Sequence, residues 1–175
     1  MIKRLQHFPG KLRAPFTPAT RPARSWKHAT WGFFSGTCGI LAISGLASLT
    51  GHHLLLGSFG ASAVLLYGAP ESPLAQPRNV LGGHLLSALV SCAMVACGAA
   101  GPVALAVAVG LSILVMHSTH TTHPPGGATA LIGIHDHAGW LFPILPVLVG
   151  ATVLVLIAVV ANNIVHHRQY PKHWW

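Results

Sequence analysis

Residues 120–135 read HTTHPPGGATALIGIH, and residues 53–68 read HLLLGSFGASAVLLYG. Both stretches are apolar and short, and both are broken by Gly or Pro. Inside them, GASAVL at 60–65 matches GATALI at 127–132, an offset of 67 residues. Around them lie four unbroken apolar runs, Trp31–Thr50, Asn79–Ala100, Pro102–Ser118 and Ile144–Val165. Each is close to the ~17–25 residues that cross a bilayer as helix. Shifting the first run by 67 places it over the third, and shifting the second places it over the fourth. One offset relates three elements, which predicts an internal repeat of about 67 residues.

Composition points the same way. The chain has 175 residues, 52% of them hydrophobic and only 7% charged. A soluble domain carries about a quarter charged residues, so a cytosolic globule is excluded. Two acids stand against ten Lys+Arg, and the pI is near 10.3. Those basic groups lie outside the apolar runs, not clustered on a wet face as a nucleic-acid binder requires.

Each repeat then reads as long helix, broken segment, long helix. Residues 54–57 and 121–124 suit extended chain, because Gly57 breaks the first and the residue before a proline is pushed out of helical geometry. Pro125 suits the opening turn of a helix. About ten helical residues give ~15 Å, and an extended lead of four to five residues adds ~15 Å. Together they cross a ~30 Å hydrocarbon core. The expected fold is an all-α membrane protein of six short segments, a 3+3 inverted repeat with two discontinuous segments. The alternative is four spans with two re-entrant half-helices.

Residues 1–28 form a basic, Pro-rich arm with seven Lys/Arg and no acid. The membrane domain is expected over 29–166, with repeats at about 30–99 and 102–166, and a tail over 167–175. The positive-inside rule puts both termini in the cytoplasm, where the arm meets anionic lipid at ~1 kcal/mol per basic group. With six crossings, Arg78, Arg168 and Lys172 fall on that side too. The expected location is the cell (inner) membrane. Small-residue stripes such as Gly32 and Gly36 suit packing within one protomer first and a homo-oligomer second.

Broken helices in inverted repeats mark substrate sites near mid-membrane. Here the N-termini of the two half-helices, around Ser58–Gly60 and Pro125–Gly127, would face each other. Free backbone N–H groups and the helix dipole make such ends anion sites. Gly60, Gly126 and Gly127 would let an ion approach, while Ser58, Ser62 and Thr129 add hydroxyls and His123 a titratable ring. These residues with Pro125 form the expected substrate site; the competing role for the glycines is tight helix crossing. His84, Arg78, Asn79 and His120 are accessory positions, with Asn79 a candidate cap for the helix that follows. No enzyme chemistry and no cofactor are expected, because Glu71 and Asp136, the chain's two acids, would lie on opposite sides of the bilayer.

Residues 123–131, HPPGGATAL, resemble the signature of the HPP family of integral membrane proteins, and SPLAQPRNVLGGH at 72–84 resembles its other marked segment. The resemblance runs through about residues 30–165. It implies a largely uncharacterised membrane family, commonly described with four spans, whose plant members are associated with nitrite transport into plastids. A small inorganic anion is the partner it implies. The motif maps directly onto His123, Pro124, Pro125, Gly126 and Gly127, and the family offers no catalytic residues to carry over.

Two other functions compete. His117, His120 and His123 are spaced by three, but Pro124 disfavours helix there, and an extended chain turns His120 and His123 to opposite faces. A zinc site needs three or four convergent ligands, so metal binding or transport is the second reading and no metal residue is assigned. A non-transporting scaffold is the third. Cys38, Cys92 and Cys97 lie in apolar runs and read as small hydrophobes.

Overall fold

A computed structural model describes residues 25–51 and 56–174, so most of the basic arm, positions 54–55 of the expected first lead and the last residue of the tail lie outside the described residues. The described chain is helical, with no strand among the described residues. α1 spans Trp26–Thr50 and ends at Gly51, whose φ of 68° a side chain would oppose. α2, Gly57–Ala63, continues into a π-helical turn, Val64–Gly68. A 3-10 turn, Pro73–Ala75, leads into α3, Pro77–Ala96. α4 is Gly101–Ser118 and α5 is Pro125–His135. A kinked π-helical stretch, Pro143–Leu148, opens α6, Val149–Ile164.

Four of these helices are long and apolar enough to cross a membrane: Trp26–Leu49, Pro77–Ala96, Gly101–Ser118 and Pro143–Ile164. They overlap the four expected runs, but α3 stops at Ala96, four residues before the expected Ala100, where the chain turns through Gly98 at positive φ. α3 starts two residues before the expected position because Pro77, with its preset φ, occupies the first helical turn behind an extended Gln76. Asn79 therefore does not cap it; its amide donates to Thr122 O at 2.9 Å instead.

The surface inverts the soluble pattern. Phe33, Phe34 and Leu41 on α1, Val103 and Leu114 on α4, and Leu156 and Val160 on α6 are exposed, while Ser62, His84, Ser91, Thr129 and Asn162 are buried. An apolar exterior of that extent is stable against lipid, not water.

Glycines set how closely the helices cross. A Cβ at Gly126 would lie 2.8 Å from Gly83 O, and one at Gly83 would lie 2.5 Å from the Cβ of His123. At Gly133 it would strike Ser91, and at Gly150 it would enter the Phe59 ring. Gly32, Gly36 and Gly39 all border Tyr67, so the small-residue stripe of α1 receives the end of the α2 segment within one protomer.

Three chain segments meet on one face. The Arg168 guanidinium donates to His28 O (2.7 Å), Tyr67 O (2.8 Å) and Asn162 Oδ1 (3.0 Å), tying together the start of α1, the end of the π-helical turn and the end of α6. Tyr170 OH donates to Ala75 O, and Gln76 Oε1 accepts from the backbone N–H of Lys172. The chain therefore leaves this face through α1 and is back on it by Tyr67. At the other end of α3, Cys92 Sγ donates to Gly139 O in the loop between α5 and α6. Arg168 is 6% exposed and forms no ion pair among the described residues. Burial pushes its pKa below the ordinary guanidinium value, and the nearby Glu71 carboxylate acts in the opposite direction.

Two outcomes follow from this arrangement. Arg168→Met strands three acceptors, and hydrogen bonds to charged groups are worth ~1.5–3 kcal/mol each. It should lower unfolding stability in detergent by at least ~3 kcal/mol, read from thermal or denaturant melts. In a cysteine-free background, Glu71→Cys and His173→Cys should react with an impermeant thiol reagent from one side of the bilayer, and Asp136→Cys from the other.

Candidate functional site

Five buried polar side chains from three helices and the segment before α5 converge in the middle of the fold. Ser58 and Ser62 come from α2, His84 from α3, His123 from the segment leading into α5, and Thr129 from α5 itself; none is more than 1% exposed. Their spacing explains the convergence. Ser58 and Ser62 are four apart and so share one face of α2, while His84 lies two turns into α3, at the level where α5 begins. Phe59 and the two imidazoles stack edge to face around them.

The hydrogen bonds form a single chain. His84 Nδ1 is 2.7 Å from Thr129 Oγ1, and His84 Nε2 is 2.7 Å from Ser62 Oγ. Ser62 Oγ is also 2.9 Å from His123 Nε2, and His123 Nδ1 is 2.7 Å from Leu74 O. Ser58 and Thr129 hydroxyls are bonded at 3.0 Å. A carbonyl only accepts, so His123 must carry its proton on Nδ1. No carboxylate belongs to the cluster, so an imidazolium here would be a buried charge with no partner. With both rings neutral, Ser62 donates to His123 Nε2 and accepts from His84 Nε2–H. His84 Nδ1 then accepts from the Thr129 hydroxyl, which is also placed as donor to Ser58 Oγ. The links run in one direction from Thr129 through His84, Ser62 and His123 to the Leu74 carbonyl, with Ser58 Oγ as a side branch at the Thr129 end.

The first turns of α2 and α5 do not point at each other across a gap. Ser58 pairs with Thr129 while Ser62, four residues later, pairs with His123, six residues earlier. The two helices therefore overlap side by side, antiparallel, and side chains fill the space between them. Backbone donors at α5 are spoken for as well. Pro124 and Pro125 have no N–H, Gly126 N donates to His123 O at 2.8 Å, and Gly127 N donates to Pro124 O at 3.0 Å.

The expected residues thus separate. Ser58, Ser62, His123 and Thr129 come together. Pro125 and Gly126 are buried beside them, with Gly126 serving the close crossing against Gly83. Gly60 is exposed and lines an outer groove with Ala63 and Val64, away from the cluster. Gly127 lines a cleft of about 290 Å³ with Val109, Ile113, Met116, His117 and Thr122. Of the accessory positions, His84 is the centre of the chain, whereas Arg78, Asn79 and His120 border a separate cleft. His117 and His120 are exposed and His123 is buried, and no group of three or more His, Cys, Asp or Glu among the described residues is placed to hold a metal. Sequence reasoning missed the Leu74 carbonyl, since no side chain marks a backbone acceptor. It undervalued His84, whose signal was a polar group well inside an apolar run.

The chain belongs to the HPP transmembrane family: the family pattern described as "HPP, transmembrane region" matches residues 21–171. Two proteins of Dictyostelium discoideum, each described as a transmembrane protein, are similar to it. One is 49% identical over 130 residues, covering 70% of this chain and 46% of that protein. The other is 43% identical over 162 residues, covering 83% of this chain and 50% of that protein. The chain therefore spans about half the length of the curated relatives it matches. No solved structure matches it.

The direction of the chain has a spectroscopic consequence. Nitrogen-15 NMR of histidine-labelled protein in lipid should find a neutral His123 protonated on Nδ1 and a neutral His84 protonated on Nε2. Ser62→Ala removes the shared partner of both rings; each stranded polar group costs ~1–3 kcal/mol. A loss of about 2 kcal/mol or more in stability is expected.

Proposed function

We propose that the protein is a membrane permease or channel for a small inorganic anion, nitrite-like in size and charge, with the hydroxyl–imidazole chain as its substrate site. The observation that carries this reading is the chemistry of that chain. Two short helices and α3 bring together hydroxyl and imidazole N–H groups at the centre of a membrane fold, and no carboxylate accompanies them. Such a set stabilises an anion, which accepts hydrogen bonds, and offers a metal cation no compensating charge. In the arrangement seen here, each donor is turned onto an internal acceptor. A small oxyanion supplies competing acceptors of the same kind, so binding exchanges bonds instead of stranding them. The membrane setting is the family's, and the plant members' association with nitrite agrees with it.

The architecture we propose for this task is the 3+3 inverted repeat. Two packing contacts support it. Gly83 on α3 meets Gly126 on α5, and Gly150 on α6 meets Phe59 on α2. Adding 67 to Gly83 gives Gly150, and adding 67 to Phe59 gives Gly126. One contact thus becomes the other when the two halves exchange roles. The return of the chain to its starting face by Tyr67 supports a crossing completed by α2 and its lead. With Arg78, Arg168 and Lys172 on that face, the positive-inside rule makes it cytoplasmic.

The test is flux into liposomes holding the purified full chain. Nitrite or nitrate uptake should exceed that of empty liposomes, and Thr129→Val and His84→Gln should each reduce it at least tenfold while the protein stays folded. Uptake unchanged in both variants would remove the site. No anion uptake at all would leave a scaffold.

A further inference from the structure

A second polar cleft lies on the face that carries the C-terminal tail. Arg78, His120 and His173 border a cleft of about 230 Å³, together with Gln76, Asn79 and Trp174. No acid lines it. The cleft is a built feature. Gln76 Oε1 accepts the backbone N–H groups of Lys172 (2.8 Å) and His173 (3.4 Å), while its amide donates to Pro70 O and Ser72 O. One side chain thus holds the tail over the start of α3. The opposite wall is held by Arg78, which donates to Thr119 O at 2.9 Å, and by Asn79, which donates to Thr122 O. His120 reaches this wall through a left-handed backbone (φ 56°), a conformation that costs a side-chain-bearing residue energy.

Among the described residues one of the Arg78 guanidinium donors is engaged, and the rest of its fork is available to a ligand. The cleft also adjoins the buried chain. Pro73 lines it, and the next residue, Leu74, gives His123 its carbonyl partner. Asn79 grips the residue on the other side, Thr122. Residues bordering the cleft are thus chain neighbours or bonded partners of residues next to the His123–Leu74 bond.

We propose that this cleft binds small monovalent anions as the collecting mouth of the buried site, with Arg78 supplying the charge and His120 and His173 supplying N–H donors. The proposal rests on the permease reading for its purpose, but its binding is measurable without transport. Trp174 lines the cleft and reports occupancy. In the full chain with Trp26, Trp31, Trp140 and Trp175 changed to Phe, in phosphatidylcholine nanodiscs, iodide should quench Trp174 with a saturable component. Perchlorate, which does not quench, should compete that component away.

Arg78→Gln should raise the half-saturating iodide concentration at least fivefold while quenching by neutral acrylamide stays the same. His173→Gln, whose fold contact runs through its backbone N–H, should raise it at least twofold even if Arg78→Gln fails to fold. Strictly linear iodide quenching, or saturable quenching that both variants leave unchanged, overturns the proposal. Saturable quenching without flux overturns the permease and leaves the cleft; flux without saturable quenching does the reverse.

Discussion

Ser62 has one proton and two imidazole neighbours, and much of the interior follows from how that shortage is resolved. Its hydroxyl lies 2.7 Å from His84 Nε2 and 2.9 Å from His123 Nε2. One ring must donate and the other accept, and Leu74 O decides which, because it can take only the Nδ1 proton of His123. A backbone carbonyl outside the long helices thereby fixes the tautomers of two rings and the hydroxyl orientations of Ser62 and Thr129. In a membrane interior, where water is not at hand to complete a partial network, this directional satisfaction is what makes five buried polar groups tolerable.

That network can form only if α2, α3 and α5 come close, and the glycines permit it. Gly126 lets α5 approach the α3 backbone at Gly83, and Gly150 opens α6 to the Phe59 ring. Packing and polarity are coupled: the glycine crossings bring His84 within reach of both Ser62 and Thr129. The glycine-rich motif at 123–127 therefore has a structural task at Gly126 and a different one at Gly127, whose flank opens onto a cleft.

Much of this was legible in the sequence. Four long runs and the helix opening at Pro125 stand in the structure, whereas the extended leads stand in part: α2 already begins at Gly57, Pro124 has helical geometry, and positions 54–55 lie outside the described residues. The hydroxyl and imidazole residues that converge were readable from their place beside the breaks. Their mode of use was not. Periodicity and breakers fix where a half-helix starts, but they do not fix how far two half-helices slide past each other, which tertiary packing decides. The overlap of Ser58 with Thr129 replaced a head-on pair of N-termini with a side-by-side pair. The same limit hid the internal use of the Gly126 and Gly127 N–H groups, since two successive prolines leave the first turn of α5 to bond back onto His123 O and Pro124 O.

The charge pattern gains meaning from the fold. Ten bases against two acids is an orientation signal in a membrane protein, but Arg168 and Arg78 do more than orient. Arg168 donates to three carbonyl-type acceptors through its two terminal nitrogens and works as a clamp on helix ends. Arg78 spends one donor on Thr119 O and keeps the remainder facing a cleft with two histidines. Neither has a carboxylate within ion-pair distance among the described residues. A fold that neutralised these cations internally would carry acids beside them. Among the described residues no acid pairs with Arg78, and its positive potential favours the approach of an anion and opposes that of a cation.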